Sequence, residues 1–170
     1  MAVSSVAAGS VVSGLVTALR AATGFRAPTE TGTDIVVFDG AIVGGGSFSS
    51  AVVIGGDGDP DGVQRPVRFQ TGWHDLDLTM DETGSIQCAV VVWSGSADPT
   101  TFSDQRTSAF DILDDVDTAI RASNDSADLA VTALLWCHIS GGELRQGIES
   151  AGTRSVLSFT VDYRANLQVT

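Results

Sequence analysis

Between Val3 and Ala22, apolar residues recur at steps of three and four: Val3, Val6, Ala7, Val11, Leu15, Ala18, Leu19 and Ala22. That period matches one face of an α-helix and predicts an amphipathic helix of roughly five turns. Gly24 ends it, and Pro28 blocks a quick restart. Gly9 and Gly14 weaken the helix intrinsically, so it must dock on something to persist. The closing segment has the other period. Leu157, Phe159, Val161, Tyr163, Ala165 and Leu167 alternate with Ser158, Thr160, Asp162, Arg164 and Asn166. Such alternation predicts a strand about 36 Å long with one apolar face and one polar face.

The segments between obey the same two rules. Residues 35–38 and 51–54 are short apolar runs of strand character. Residues 39–50, with Gly44, Gly45 and Gly46, read as a mobile loop or hairpin tip. An acidic loop over 55–62 leads to a further strand through Val67, Phe69 and residues 73–78, its register open. Over 85–94, Ile86, Cys88, Val90 and Val92 alternate with Gln87, Ala89, Val91 and Trp93. Both faces turn apolar toward the end, which predicts a central strand.

Asp98-Pro99 opens a second helix, with Asp98 as its cap. Phe102, Arg106, Ala109, Leu113, Val116 and Ile120 form its stripe, while Asp104, Asp111, Asp114 and Asp115 lie off it. Asp117 stands one helical turn before Arg121, a favourable pair. Residues 132–139 read as another strand, 143–149 continue it or start the next, and 150–153 turn the chain. The sum is one α+β domain over residues 1–170. Its sheet is mainly antiparallel, with the N-terminal helix and the second helix packed on one face.

Charge narrows the function classes. The formal net charge is −12, and the basic residues are all arginine. An acidic chain repels phosphate, which argues against nucleic-acid and anionic-membrane affinity. Without lysine there is no Schiff base and no phosphate-loop lysine. Residues 1–19 carry no charge, so they lack the basic start of a signal peptide. Their serines and glycines make them too polar for a membrane span.

Candidate chemistry fails on spacing. Asp57, Asp59, Asp61 and Gly62 open like an EF-hand calcium loop, but the twelfth position is Arg68 and Pro60 intrudes. Cys88, Cys137, His74 and His138 have the atoms for zinc. Cys137 and His138 are adjacent on a strand, however, and point to opposite faces. No G-x-S-x-G elbow accompanies the many serines. Neither glycine cluster completes G-x-G-x-x-G, and the aspartates of the second helix read as a solvated face. No catalytic, cofactor or metal site is expected.

In order along the chain, IQCAVVVWSG, FDILDDVDTAIRA, LLWCHISGGELRQ and SVLSFTVDYRANL resemble the tail terminator proteins of long-tailed bacteriophages, especially those infecting actinobacteria. The leading helix and Val37-Phe38-Asp39-Gly40 fit the same pattern. The resemblance implies a virion protein, assembled in the host cytoplasm, without enzymatic activity or cofactor. Its subunits would form a homo-oligomeric ring, usually of six copies, that caps the tail tube and joins it to the head-side neck. DNA would pass the lumen without specific binding, kept sliding by like charge. Arginines would then work at subunit contacts. Arg145 and Arg154, flanking the 150–153 turn and opposite in charge to Glu143 and Glu149, are the candidate interface residues.

Overall fold

A computed structural model describes residues 7–32, 35–42, 48–58, 67–74, 79–126, 134–149 and 152–168. Expectations placed on residues 1–6, 44–46, 59–62, 75–78 and 150–151 fall outside that range, as does the side chain of His74. The elements in chain order are α1 (Ala8–Ala21), β1 (Phe25–Arg26), β2 (Ile35–Asp39), β3 (Ser50–Ile54), β4 (Val67–His74), β5 (Thr79–Ser94), α2 (Thr101–Ser126), β6 (Leu134–Glu149) and β7 (Gly152–Gln168).

The seven strands form one sheet in the order β1-β2-β3-β5-β7-β6. β3 pairs with the second half of β5 and β4 with its first half, on the same edge. β5 is therefore central, as its two apolar faces require. Every pairing from β3 to β6 is antiparallel, whereas β1–β2 and β2–β3 are parallel. The fold is thus the expected α+β arrangement with a mostly antiparallel sheet.

The parallel β2–β3 pair corrects one reading: the glycine-rich connection between them is a crossover and not a hairpin tip. A hairpin joins antiparallel neighbours only. The apolar period of residues 35–38 and 51–54 carries no information on direction. Ile42 and Phe48, on either side of this connection, pack on a small cluster of Val36, Phe38, Ala51, Val53, Ala89 and Val91.

Both helices dock on the other face. α1 buries Val11, Leu15, Val16 and Leu19, and α2 buries Ala109, Ile112, Val116 and Ile120, against Ile86, Cys88, Val90, Phe159, Val161 and Tyr163. The α2 stripe departs from the expected one at a single position: Ala109, Val116 and Ile120 are buried and Leu113 packs on the core, but Arg106 is exposed and Gln105 is buried instead. Polar contacts explain Gln105. Its Nε2 donates to the Thr153 carbonyl at 3.1 Å and to Thr153 Oγ1 at 2.9 Å, while Ser155 Oγ donates to its Oε1 at 3.0 Å. A buried amide so satisfied costs little and fixes the helix on the start of β7. Asp98 does shape the entry, its Oδ1 accepting the Thr100 amide at 2.9 Å.

Residues 134–149 form one strand, with register shifts near Leu135 and Ser140. Bulges leave the alternation broken there, which is why two segments read as separable. At the start of β7, Gly152 holds φ at +128°, and a Cβ would stand 2.0 Å from the Ser94 carbonyl oxygen. Only glycine fits.

Glu82 is fully buried. Its carboxylate accepts the Ala7 amide at 3.1 and 3.0 Å and the Tyr163 hydroxyl at 2.7 Å. Ala7 is the N-cap of α1 and has no side-chain cap of its own. Burial, and then the bond to Glu82, push the Tyr163 phenol upward from its ordinary value. Burial likewise pushes the Cys88 and Cys137 thiols up to about 12.

The face assignment of β7 is checked by Phe159→Ala, expected to cost about 3–5 kcal/mol, against Thr160→Ala, expected to cost little. Equal losses in chemical denaturation would mean that the register is wrong. The raised thiols and phenol set a pH dependence. Folded groups that hold their protons more tightly than unfolded ones stabilise fully below the unfolded values, and that stability is lost as pH rises through the folded ones. The denaturation midpoint should therefore hold from pH 7 to about 8.5 and fall above about 9. Native protein at pH 8 should leave both thiols unlabelled by a disulfide reagent that modifies both in denaturant.

Candidate interaction surface

Side chains of opposite parity to the core project from the helix-free face of the sheet. Over the β4-β5-β7-β6 half, Gln70, Thr83, Arg164 and Trp136 share one row. A concavity of about 400 Å³ opens there between Arg68, Gln70, Thr83, Ser85, Trp136 and Asp162. Arg164 pairs with Asp81, and Asn166 Nδ2 donates to the same carboxylate at 3.2 Å. Opposite charges facing each other across strands are worth roughly 0.2–1 kcal/mol, so these pairs stabilise the sheet without needing a ligand.

One row holds the residue types of a hydrolase triad. Ser85, Asp162 and His138 are successive partners across β5, β7 and β6. Their order is wrong for nucleophile activation, because the carboxylate lies between serine and imidazole. Ser85 Oγ donates to Asp162 Oδ1 at 2.6 Å, and the His138 ring lies 5.0 Å from that of Trp136. A base must take the serine proton and be oriented by the acid behind it. Here the serine and the acid are joined directly.

Two of the zinc candidates separate in space. Cys137 is buried and His138 exposed, on opposite faces as adjacent strand residues must be. Among the described residues no three His, Cys, Asp or Glu side chains gather to hold a metal ion. No described helix is long and apolar enough to cross a membrane.

Glu143, Arg145, Glu149 and Arg154 all project from the helix-free face, but they form two pairs of unlike character. Arg145 Nε lies 3.3 Å from Glu143 Oε1, with side chains 73% and 67% exposed. Arg154 NH1 lies 3.2 Å from Glu149 Oε1, and its side chain is only 15% exposed. The Arg154 guanidinium also bonds the Gly58 carbonyl and sits over Trp93, 5.7 Å from the ring centre. Arg154 therefore clamps the chain after β3 onto the sheet, while Glu143 and Arg145 stand outward on β6. Sequence spacing places these residues together but carries no sign of Gly58, whose contact spans the fold.

Large apolar side chains are exposed at the β6 side of the molecule: Leu135 at 55%, Trp136 at 39% and Ile148 at 57%, with Phe110 of α2 at 49%. β6 is the terminal strand of the sheet, and β7 is its partner. Among the described residues no strand covers its outer edge, and a long edge with apolar neighbours is a surface on which other chains add.

The two arginines should respond differently to truncation. Arg154→Ala should cost about 1–3 kcal/mol, because it frees the Gly58 carbonyl and uncovers Trp93. Arg145→Ala should stay within about 0.5 kcal/mol, as exposed pairs do. Denaturant titration of both variants checks this, and equal losses would remove the distinction between clamp and surface pair. No model of a known protein family matches this chain, and no curated protein sequence matches it.

Proposed function

We propose that this chain is a structural subunit that acts by assembly: a tail-terminator-like ring protein that caps a phage tail tube and joins it to the neck. The observation that carries an assembly role is the outer β6 edge, on which the described residues place no strand, with Leu135, Trp136 and Ile148 exposed along it. A strand edge with unpaired backbone groups is a place where another chain can add, and exposed apolar side chains along it favour such a contact. The specific tail role rests on the resemblance of the ordered segments from residue 86 to residue 167. The helix-first order with strands closing the chain supports a terminator over a tail-tube subunit, in which two sheets and an extended arm are expected.

Acidity agrees with a passage that does not retain DNA. Among the exposed acids, Asp104, Asp111, Asp114 and Asp115 lie on α2. A field of that sign repels phosphate, most strongly at low salt.

Negative-stain microscopy and sedimentation of the purified protein test the proposal. Closed rings, six copies favoured, are expected, with no retention of duplex DNA at low salt. A protein that stays monomeric and fails to cap purified tail tubes would overturn the ring reading. Tight DNA binding would remove the repulsive passage.

A further inference from the structure

We propose that two copies of this chain pair edge to edge through β6. The strands run antiparallel about a two-fold axis at Leu144, setting Glu143 of each copy against Arg145 of the other.

The regular part of β6 runs from Gly141 to Glu149, beyond the register shift at Ser140. Over this stretch its inner edge is occupied by β7, while the described residues place no strand on its outer edge. Backbone groups on that edge are available to a further strand. A two-fold axis perpendicular to the sheet keeps the helix faces of both copies on one side. Residues of equal parity then stand opposite each other.

Charge selects among the registers this allows. An axis on Arg145 would oppose two arginines, and an axis on Glu143 two glutamates. An axis on Gln146 would oppose Glu143 and Glu149. An axis on Gly147 would pair Arg145 with Glu149, but only residues 145–149 would overlap. The axis on Leu144 overlaps residues 141–147 and makes two opposite-charge pairs at once. Glu143 and Arg145 are both about two-thirds exposed or more and on the same face, so each presents its charge to a neighbouring copy. Directly opposed unlike charges favour this register, and like charges disfavour its neighbours.

The flank of α2 fits the same contact. α2 is tied to β6 by Gln146 Nε2 donating to the Phe102 carbonyl at 2.9 Å and Asn124 Nδ2 donating to the Cys137 carbonyl at 2.6 Å. Helical steps from Phe102 through Leu113 to Asn124 define the side of α2 turned to β6, and Phe110 lies on that side. Its exposed ring therefore extends the apolar surface of the β6 edge toward the second copy. Pairing would cover it with the helix flank of the partner.

The contact is isologous and occupies the β6 edge, so any ring would close through other surfaces, and the pairing does not rest on the ring reading. Sedimentation velocity over a concentration series tests it with the wild type, E143R, R145E and the double exchange E143R/R145E. Circular dichroism confirms that each variant is folded. The wild type should associate in twos, each single reversal should weaken that association at least tenfold, and the double exchange should restore it. A wild type monomeric at its highest soluble concentration overturns the pairing. So do single variants that associate like the wild type, or a double exchange no better than the singles. Rings that survive R145E unchanged while no two-fold pairs form would overturn the pairing alone. Pairs that never close into rings would leave it standing.

Discussion

A carboxylate in the middle of the core holds this fold together. Glu82 reaches from β5 to the amide of Ala7, the N-cap of α1, and receives the hydroxyl of Tyr163 from β7. A buried carboxylate is costly unless its lone pairs are filled, and the positive end of a helix is among the few places that suit it. Ala7 brings no capping side chain, so the cap comes from a residue 75 positions away in sequence. Gly84 completes the arrangement. A Cβ there would fall 2.5 Å from the Tyr163 ring, so the ring can lie flat across β5 only because that position is glycine. α1, β5 and β7 are therefore positioned by one shared polar node, and the apolar contacts pack around it.

The sheet is covered differently on its two sides, and this organises the surface. Helices seal one face, with α2 pinned at its start by Gln105 and at its end by Asn124. The other face is closed near β2 and β3 by loop residues, where Phe48 packs on Phe38 and Trp93, and Arg154 holds Gly58. Beyond these loops the described residues of the β4-β5-β7-β6 half present a polar face, on which Arg145, Arg154 and Arg164 pair with Glu143, Glu149 and Asp81. An acidic helix face and a charge-balanced sheet face on one small subunit give it two chemically distinct sides to present to neighbours.

Much of this was legible along the chain. The parity of Leu157 through Leu167 fixes the buried face of β7, and the double apolar parity of residues 88–92 marks β5 as central. Glu82 was not legible: the alternation predicts the strand only from residue 85, whereas β5 begins at Thr79, and a carboxylate between Met80 and Ile86 breaks the apolar pattern that would have extended it. Other features were not legible either, for definite reasons. Local periods do not encode strand direction, so the parallel β2–β3 pair is invisible. Bulges cancel alternation, so β6 looked divisible. The burial of Gln105 in place of Arg106 depends on Thr153 and Ser155, which lie two elements further on. At the candidate surface, the acid–base pairs were legible as neighbours in sequence. The difference between the clamping Arg154 and the outward Arg145 depends on a carbonyl nearly 100 residues away, at Gly58.

The long β5–β7 ladder has a mechanical consequence. The two strands are in register from Thr79 with Gln168 to Ser94 with Thr153. Their hydrogen bonds run across the strand direction, so tension applied along the strands loads the whole row in shear. Under such a load the rungs share the force and must yield together, whereas a pull across the sheet would open them one at a time. The subunit is therefore stiff along one axis and compliant across it. Any assembly that aligns this axis with the direction of stress gains rigidity from the backbone itself.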